Sequence, residues 1–128
     1  MEELKFYLCK KCGNLVLMMR ETGPRLVCCD VEMELLVANT EDGAREKHVP
    51  YVEVDGDLVK VQVGEVIHPM TEKHFIEWIF VETTKGGLFK HLKPGEEPKA
   101  QFRFIDEEVV AVYEYCNLHG LYKLQIKE

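Results

Sequence analysis

Two cysteines spaced Cys9-x2-Cys12 are followed, after fifteen intervening residues, by the adjacent pair Cys28-Cys29. No other feature restricts the folding of this chain as much. The stretch that carries them, residues 1–37, is too short to hold itself together by apolar burial, and below about 40 residues a metal or disulfides usually supply the missing stability. Two residues between the first cysteines let both sulfurs turn toward one ion, and Gly13 lets the backbone turn so that amides point at sulfur. Four thiolates converging from two strands make a tetrahedral site that suits zinc or iron, and spacing does not choose between them. Adjacent ligands have less freedom than a second Cys-x2-Cys, so the tetrahedron is expected to be distorted. With Cys116 the cysteine count is five, so complete disulfide pairing within one chain is impossible.

Around these cysteines the sequence predicts short strands. Phe6-Tyr7-Leu8 leads into the first pair, Leu15 to Met19 reads as a strand, Thr22-Gly23-Pro24 as a turn, and Met33 to Val37 as a closing strand. Residues 38–47 are polar and read as a linker and loop. From Pro50 onward the pattern is β. Val59, Val61 and Val63 share one face of Leu58 to Val63. Phe75 to Val81 is aromatic and branched, Ala100 to Ile105 alternates around Phe102 and Phe104, and Val109 to Tyr115 is a further strand. In Leu121 to Ile126, residues Tyr122, Leu124 and Ile126 fall together. Turn signals at Asp55-Gly56-Asp57, Gly86-Gly87, Pro94-Gly95 and His119-Gly120 divide these runs, a pattern that implies a sandwich or barrel.

The charge balance removes some functions. With 23 acidic and 16 basic residues the formal net charge is −7, a poor match for nucleic-acid phosphates or an anionic membrane surface. No apolar run approaches the ~20 residues of a membrane helix. The N-terminus shows no basic region followed by a long apolar stretch, so a cytoplasmic location is expected.

All five histidines follow the cysteine cluster. His91, in Phe89-Lys90-His91-Leu92-Lys93, reads as an ordinary surface or core residue. The others sit beside turn residues or charged motifs. His48 precedes Val49-Pro50, His68 precedes Pro69, His74 lies six residues beyond His68, and Cys116-x2-His119 closes a strand. Loops at one end of a β-scaffold can bring such groups together. Four imidazoles and one thiolate exceed the four ligands zinc usually takes. Five ligands with a vacancy suit iron, whose reactivity follows its axial ligand.

These residues resemble the desulfoferrodoxin family, the two-iron class of superoxide reductase, over essentially the whole chain. Cys9-x2-Cys12 with Cys28-Cys29 is similar to the desulforedoxin motif. Glu46-Lys47-His48-Val49-Pro50, His68-Pro69-Met70, Glu72-Lys73-His74 with Ile76-Glu77-Trp78, and Cys116-Asn117-Leu118-His119-Gly120 are similar to the neelaredoxin-type domain. Phe75 is a small departure, at a position where tryptophan is common.

The resemblance implies an all-β chain. A small desulforedoxin-like iron-binding domain would span 1–37, and an immunoglobulin-like seven-stranded β-sandwich carrying superoxide reductase activity would span 38–128. One iron would sit among Cys9, Cys12, Cys28 and Cys29. A second would take equatorial imidazoles from His48, His68, His74 and His119, an axial thiolate from Cys116, and a sixth position that is open when ferrous. Glu46 could fill that position in the ferric state, and Lys47 would add positive charge beside it, which makes these two the expected catalytic residues. The implied partners are superoxide as substrate, a rubredoxin-like electron donor and a second copy of the chain in a homodimer. The iron held by four thiolates could be structural or electron-transferring. The competing reading is a non-catalytic iron-binding electron-transfer protein. An oxygenase fits less well, since a facial triad uses two histidines and one carboxylate.

Overall fold

The computed structural model describes residues 3–40 and 48–127. Glu46 and Lys47 therefore lie outside the described residues. The chain divides into two compact units, Met1–Val37 and Ala38–Glu128, and every named element in both is a strand.

In the first unit, β1 (Phe6–Leu8) lies between β2 (Leu15–Leu17) and β5 (Glu34–Leu35), antiparallel to both. β3 (Val27–Cys28) and β4 (Val31–Glu32) form a separate hairpin. Its two loop residues, Cys29 and Asp30, both have positive φ, 54° and 60°, which is the type I′ turn that matches the twist of a hairpin. Only Phe6, Cys9 and Met33 are buried apolar residues among the described part of this unit. The closing strand is shorter than the expected Met33 to Val37. Met33 turns inward and its N–H donates to Leu26 O (2.9 Å), while Val37 is 82% exposed and has nothing to pack on within the sheet.

The second unit contains seven strands: β6 (Pro50–Asp55), β7 (Leu58–Val63), β8 (Ile76–Thr83), β9 (Gly86–His91), β10 (Lys99–Arg103), β11 (Val109–Cys116) and β12 (Gly120–Gln125). They form a three-stranded sheet in the order β10-β7-β6 and a four-stranded sheet in the order β12-β11-β8-β9. Strand alternation explains the core between them. Val59, Val61 and Val63 from β7, with Ala100 and Phe102 from β10, meet Ile76, Ile79, Val81, Val112 and Cys116 from the opposite sheet. This is the sandwich that the sequence implies. The fourth strand of this unit, β9, pairs with β8 and not with β10, so it joins the sheet that contains β11.

Three segments depart from the expected pattern. Gly86-Gly87 opens strand β9 as well as marking a turn, and every residue of β9 is exposed, so no alternation betrays it. On β12 both Leu121 and Tyr122 are buried, each on its own face, while Ile126 is exposed. Asn39, read as linker, is paired to β12: its N–H donates to Leu121 O and its carbonyl accepts from Lys123 N–H, both at 2.9 Å.

Candidate metal centres

The loop after β1 is a tight knuckle. Gly13 N–H donates to Cys9 O and Cys9 N–H to Asn14 O, both at 2.8 Å, with Gly13 at φ +85°. This turn aims the amides of Lys11 and Cys12 at the Cys9 sulfur, and they lower that thiol to about 6 even though burial opposes them. The hairpin β3–β4 supplies the other pair. The left-handed backbone at Cys29 lets two consecutive side chains reach one point, which answers the difficulty posed by adjacent ligands. Cys12 Sγ lies 3.6 Å from Cys28 Sγ, and Cys28 Sγ lies 3.9 Å from Cys29 Sγ. A regular tetrahedron with metal–sulfur bonds of about 2.3 Å has edges of about 3.8 Å, so these sulfurs stand at ligand spacing.

The same crowding pushes the Cys29 thiol up to about 12, chiefly through Cys12, and raises Cys28 through Cys12 and Cys9. Four sulfurs this close cannot all ionise without a cation among them, which is the chemistry a thiolate-loving metal meets. Asn14, which sequence reasoning passed over, places its Nδ2 3.6 Å from Cys28 Sγ as a donor. Its position at the end of the Cys-x2-Cys-Gly turn was the available signal.

The second group gathers at one end of the sandwich. His48 stands just before β6, His68 just after β7, His74 just before β8, Cys116 ends β11, and His119 lies in the turn to β12. Antiparallel pairing puts these five positions together, since Pro50 is opposite Val63 and Cys116 is opposite Ile76. One donor atom from each lies within 4.8 Å of all the others. The four imidazoles form a closed ring in the order His48, His68, His74, His119. Successive ring centroids are 4.8, 4.5, 5.0 and 4.7 Å apart and steeply inclined to one another, whereas His48 and His74 across the ring are 6.3 Å apart. Cys116 Sγ lies 3.6 Å from His68 Nε2 and 3.7 Å from His119 Nδ1, two opposite corners of that ring. The sulfur is thus apical. His48 Nε2 and His119 Nδ1 are 2.9 Å apart, close to the roughly 3.0 Å edge of a square with metal–nitrogen bonds of about 2.1 Å.

The protonation states suit a cation. His68 Nδ1 contacts Pro69 O at 2.6 Å, which assigns the proton to Nδ1 and turns the Nε2 lone pair toward the centre. Burial, helped by the other three imidazoles, holds His68 down to about 4, so it is neutral at physiological pH. Burial raises the Cys116 thiol, against the N–H groups of His119 and Leu118, with Glu114 and Glu77 adding to the rise. Those two amides point at the sulfur and favour the thiolate once positive charge arrives. Two further contacts escaped the sequence reading. The Tyr122 ring stacks on His48, and Met70 Sδ accepts the Ile76 N–H at 3.3 Å. His91 is not part of the histidine–thiolate group and lies on exposed β9 beside Phe89.

The family model described as "Desulfoferrodoxin" matches residues 40–125, and that described as "Desulfoferrodoxin, N-terminal domain" matches residues 1–36. This chain belongs to the desulfoferrodoxin family. A desulfoferrodoxin of Syntrophotalea carbinolica is 47% identical over 121 residues, which span 94% of this chain and 95% of the relative. One from Nitratidesulfovibrio vulgaris is 46% identical over 123 residues, 96% of this chain and 97% of the relative. Among solved structures, the superoxide reductase from Treponema pallidum superposes with a TM-score of 0.80 at 38% identity, covering 96% of this chain and 98% of that one. The cofactors of this desulfoferrodoxin-family chain are two iron ions, one for the tetrathiolate set and one for the histidine–thiolate set. The second donor set carries one ligand more than zinc ordinarily takes, and its thiolate and imidazoles suit iron.

Proposed function

We propose that the chain is a superoxide reductase, which converts superoxide, one electron and two protons into hydrogen peroxide without releasing dioxygen. The observation that carries this reading is the ring of four imidazoles with a buried thiol at its apex, on a chain that matches a superoxide reductase along nearly its whole length. Iron bound there supplies the single electron to superoxide.

The residues account for the rest. His48, His68, His74 and His119 hold the metal as neutral ligands, and His68 is kept neutral by burial. Cys116 supplies one negative charge at the apex, so a ferrous centre carries a net single positive charge. That charge attracts a small anion to a protein whose overall charge of −7 repels it. The Cys116 thiolate would also donate electron density to the bound iron, which favours giving up an electron. His119 is exposed and His74 half-buried, so the ring is open to solvent on their side. Lys47, next to His48 in sequence, draws superoxide in and helps organise proton delivery. Glu46, two residues before His48 in sequence, would offer a carboxylate to the oxidised metal and so favour release of peroxide.

On this reading residues 1–37 form the iron-binding unit and 38–128 the catalytic one. A rubredoxin-like protein serves as electron donor, the chain works as a homodimer, and the setting is cytoplasmic detoxification. Among the described residues no helix is long and apolar enough to cross a membrane.

The test is stoichiometric. Reduced two-iron protein is mixed with superoxide, and peroxide and iron oxidation are followed together. Close to one peroxide per superoxide consumed, at a rate near the diffusional range, is expected. Slow oxidation without matching peroxide would leave a non-catalytic iron-binding electron-transfer protein.

A further inference from the structure

His74 stands on a loop between β7 and β8 where no strand ladder fixes it. Three hydrogen bonds from one residue do so instead. Asn117, in the turn that carries both Cys116 and His119, donates from Nδ2 to Lys73 O (3.0 Å) and accepts at Oδ1 from Phe75 N–H (2.9 Å). Its own N–H donates to Phe75 O (3.2 Å). Lys73 and Phe75 are the two residues that flank His74, so this single residue grips the His74 backbone from both sides. Thr71 completes the loop. Its Oγ1 accepts the His74 N–H (3.1 Å), and its own N–H donates to His74 O (2.9 Å).

The chemistry of the amide is specific. Holding Lys73 O needs a donor and holding Phe75 N–H needs an acceptor, at a reach that only asparagine combines. Aspartate keeps the acceptor and loses the donor. Alanine keeps only the backbone bond. The side-chain bonds span 42 and 44 residues of sequence, so they join two distant parts of the donor group: the loop carrying His74, and the turn carrying the apical thiol and a neighbouring imidazole.

We propose that Asn117 is a positioning residue that sets the place of His74 relative to Cys116 and His119, and through it the iron affinity and electronic environment of the histidine–thiolate centre. This rests on the assignment of that centre as an iron site, and its test does not depend on superoxide turnover. Full-length two-iron protein, Asn117→Ala and Asn117→Asp are oxidised and exposed to a strong iron chelator, with the tetrathiolate centre of the same chain as internal reference. Loss of a group that orients a ligand typically weakens metal retention by about 10- to 100-fold. Iron should leave the histidine–thiolate centre at least ~10-fold faster in Asn117→Ala, with a shifted or broadened ferric-thiolate absorption band. Asn117→Asp should fall between Ala and wild type, and release from the tetrathiolate centre should not change. Equal release rates and an unshifted band in both variants would overturn the proposal. Equal acceleration at both centres would also overturn it, because the effect would then be general loosening of the chain. Should Asn117→Ala not fold, Asn117→Asp alone decides between these outcomes. A wild-type chain that holds iron but yields no peroxide would sink the reductase reading while leaving this one standing.

Discussion

The Tyr122 ring lies almost parallel to that of His48, with centroids 4.7 Å apart and planes at 19°. Tyr122 projects from β12 and is buried, so it backs His48 much as a wall backs a hinge. Tyr122→Ala removes that wall. Truncating a buried aromatic costs about 3–5 kcal/mol, visible as a lower urea midpoint. Iron should also leave the histidine–thiolate centre faster, because His48 loses its fixed plane. A variant that is destabilised yet retains iron like wild type would show that the stack is packing alone.

The metal-free protein should have a narrow pH optimum for stability. His68 is held at about 4 in the folded chain, against about 6.5 in an unfolded one. The unfolded chain therefore binds the extra proton first as pH falls. This contribution is fully present above about pH 6.5 and is lost progressively toward about pH 4, on the order of 2 kcal/mol by about pH 5. Cys116 acts in the opposite sense. Its raised folded value means its contribution is present below the ordinary thiol range and is lost as pH rises through it. Urea midpoints of the apo chain, followed from mildly acid to alkaline pH, should peak near neutrality. A flat acid limb would contradict the burial of a neutral His68.

Gly87 leaves no room for a side chain. A Cβ there would stand 2.3 Å from Val81 O and 2.7 Å from the Phe80 ring, at φ +156°. The carbonyl belongs to the ladder of β8 and cannot retreat. Gly87→Ala should cost about 1–3 kcal/mol, the usual range for overpacking, and lower the thermal midpoint while leaving both metal centres spectroscopically unchanged.

Cys12→Ser separates the roles of the two irons. Cys12 is an exposed member of the tetrathiolate group, and its loss leaves a unit that buries only three apolar side chains among its described residues, Phe6, Cys9 and Met33. The tetrathiolate absorption should disappear and the first unit should become protease-sensitive. Oxidation of the reduced histidine–thiolate iron by superoxide should continue at the wild-type rate. A fall in that rate with the second iron still in place would give the first centre a part in the chemistry.

Lys47→Ala and Glu46→Ala address the charged residues before His48. Without Lys47 the bimolecular rate with superoxide should drop by about 10-fold at low salt. The gap should narrow as added salt shortens the Debye length. An unchanged low-salt rate in pulse radiolysis removes Lys47 from substrate capture. Glu46→Ala should leave first encounter intact and alter the ferric spectrum.

Both donor groups could be read from residue type and spacing. Sulfur and imidazole at strand ends have few other uses in such numbers, and alternation at Val59, Val61 and Val63 placed the core face of β7 correctly. What could not be read depends on contacts between distant segments. β9 has no buried face, so it carries no period-2 pattern. Tyr122 looked like one more core residue of an alternating strand, and only the approach of β12 to the segment before β6 turns its ring onto a ligand. Asn117 looked like an ordinary turn residue, because its side-chain partners lie 42 and 44 positions away. The paired cysteines implied a distorted tetrahedron, and only the left-handed φ of Cys29 shows how a two-residue turn lets both sulfurs reach one point.

The donor ring draws on both layers of the sandwich. His48 and His68 border the β10-β7-β6 sheet, and His74, Cys116 and His119 border the other. In antibody domains a disulfide ties the second strand of the sandwich to the sixth. Here the second and sixth strands are β7 and β11, and His68, beyond the turn that follows β7, has its Nε2 3.6 Å from the Sγ of Cys116, which ends β11. Iron held by both would be the rivet that cysteine pairing supplies in those domains, but one that can be withdrawn.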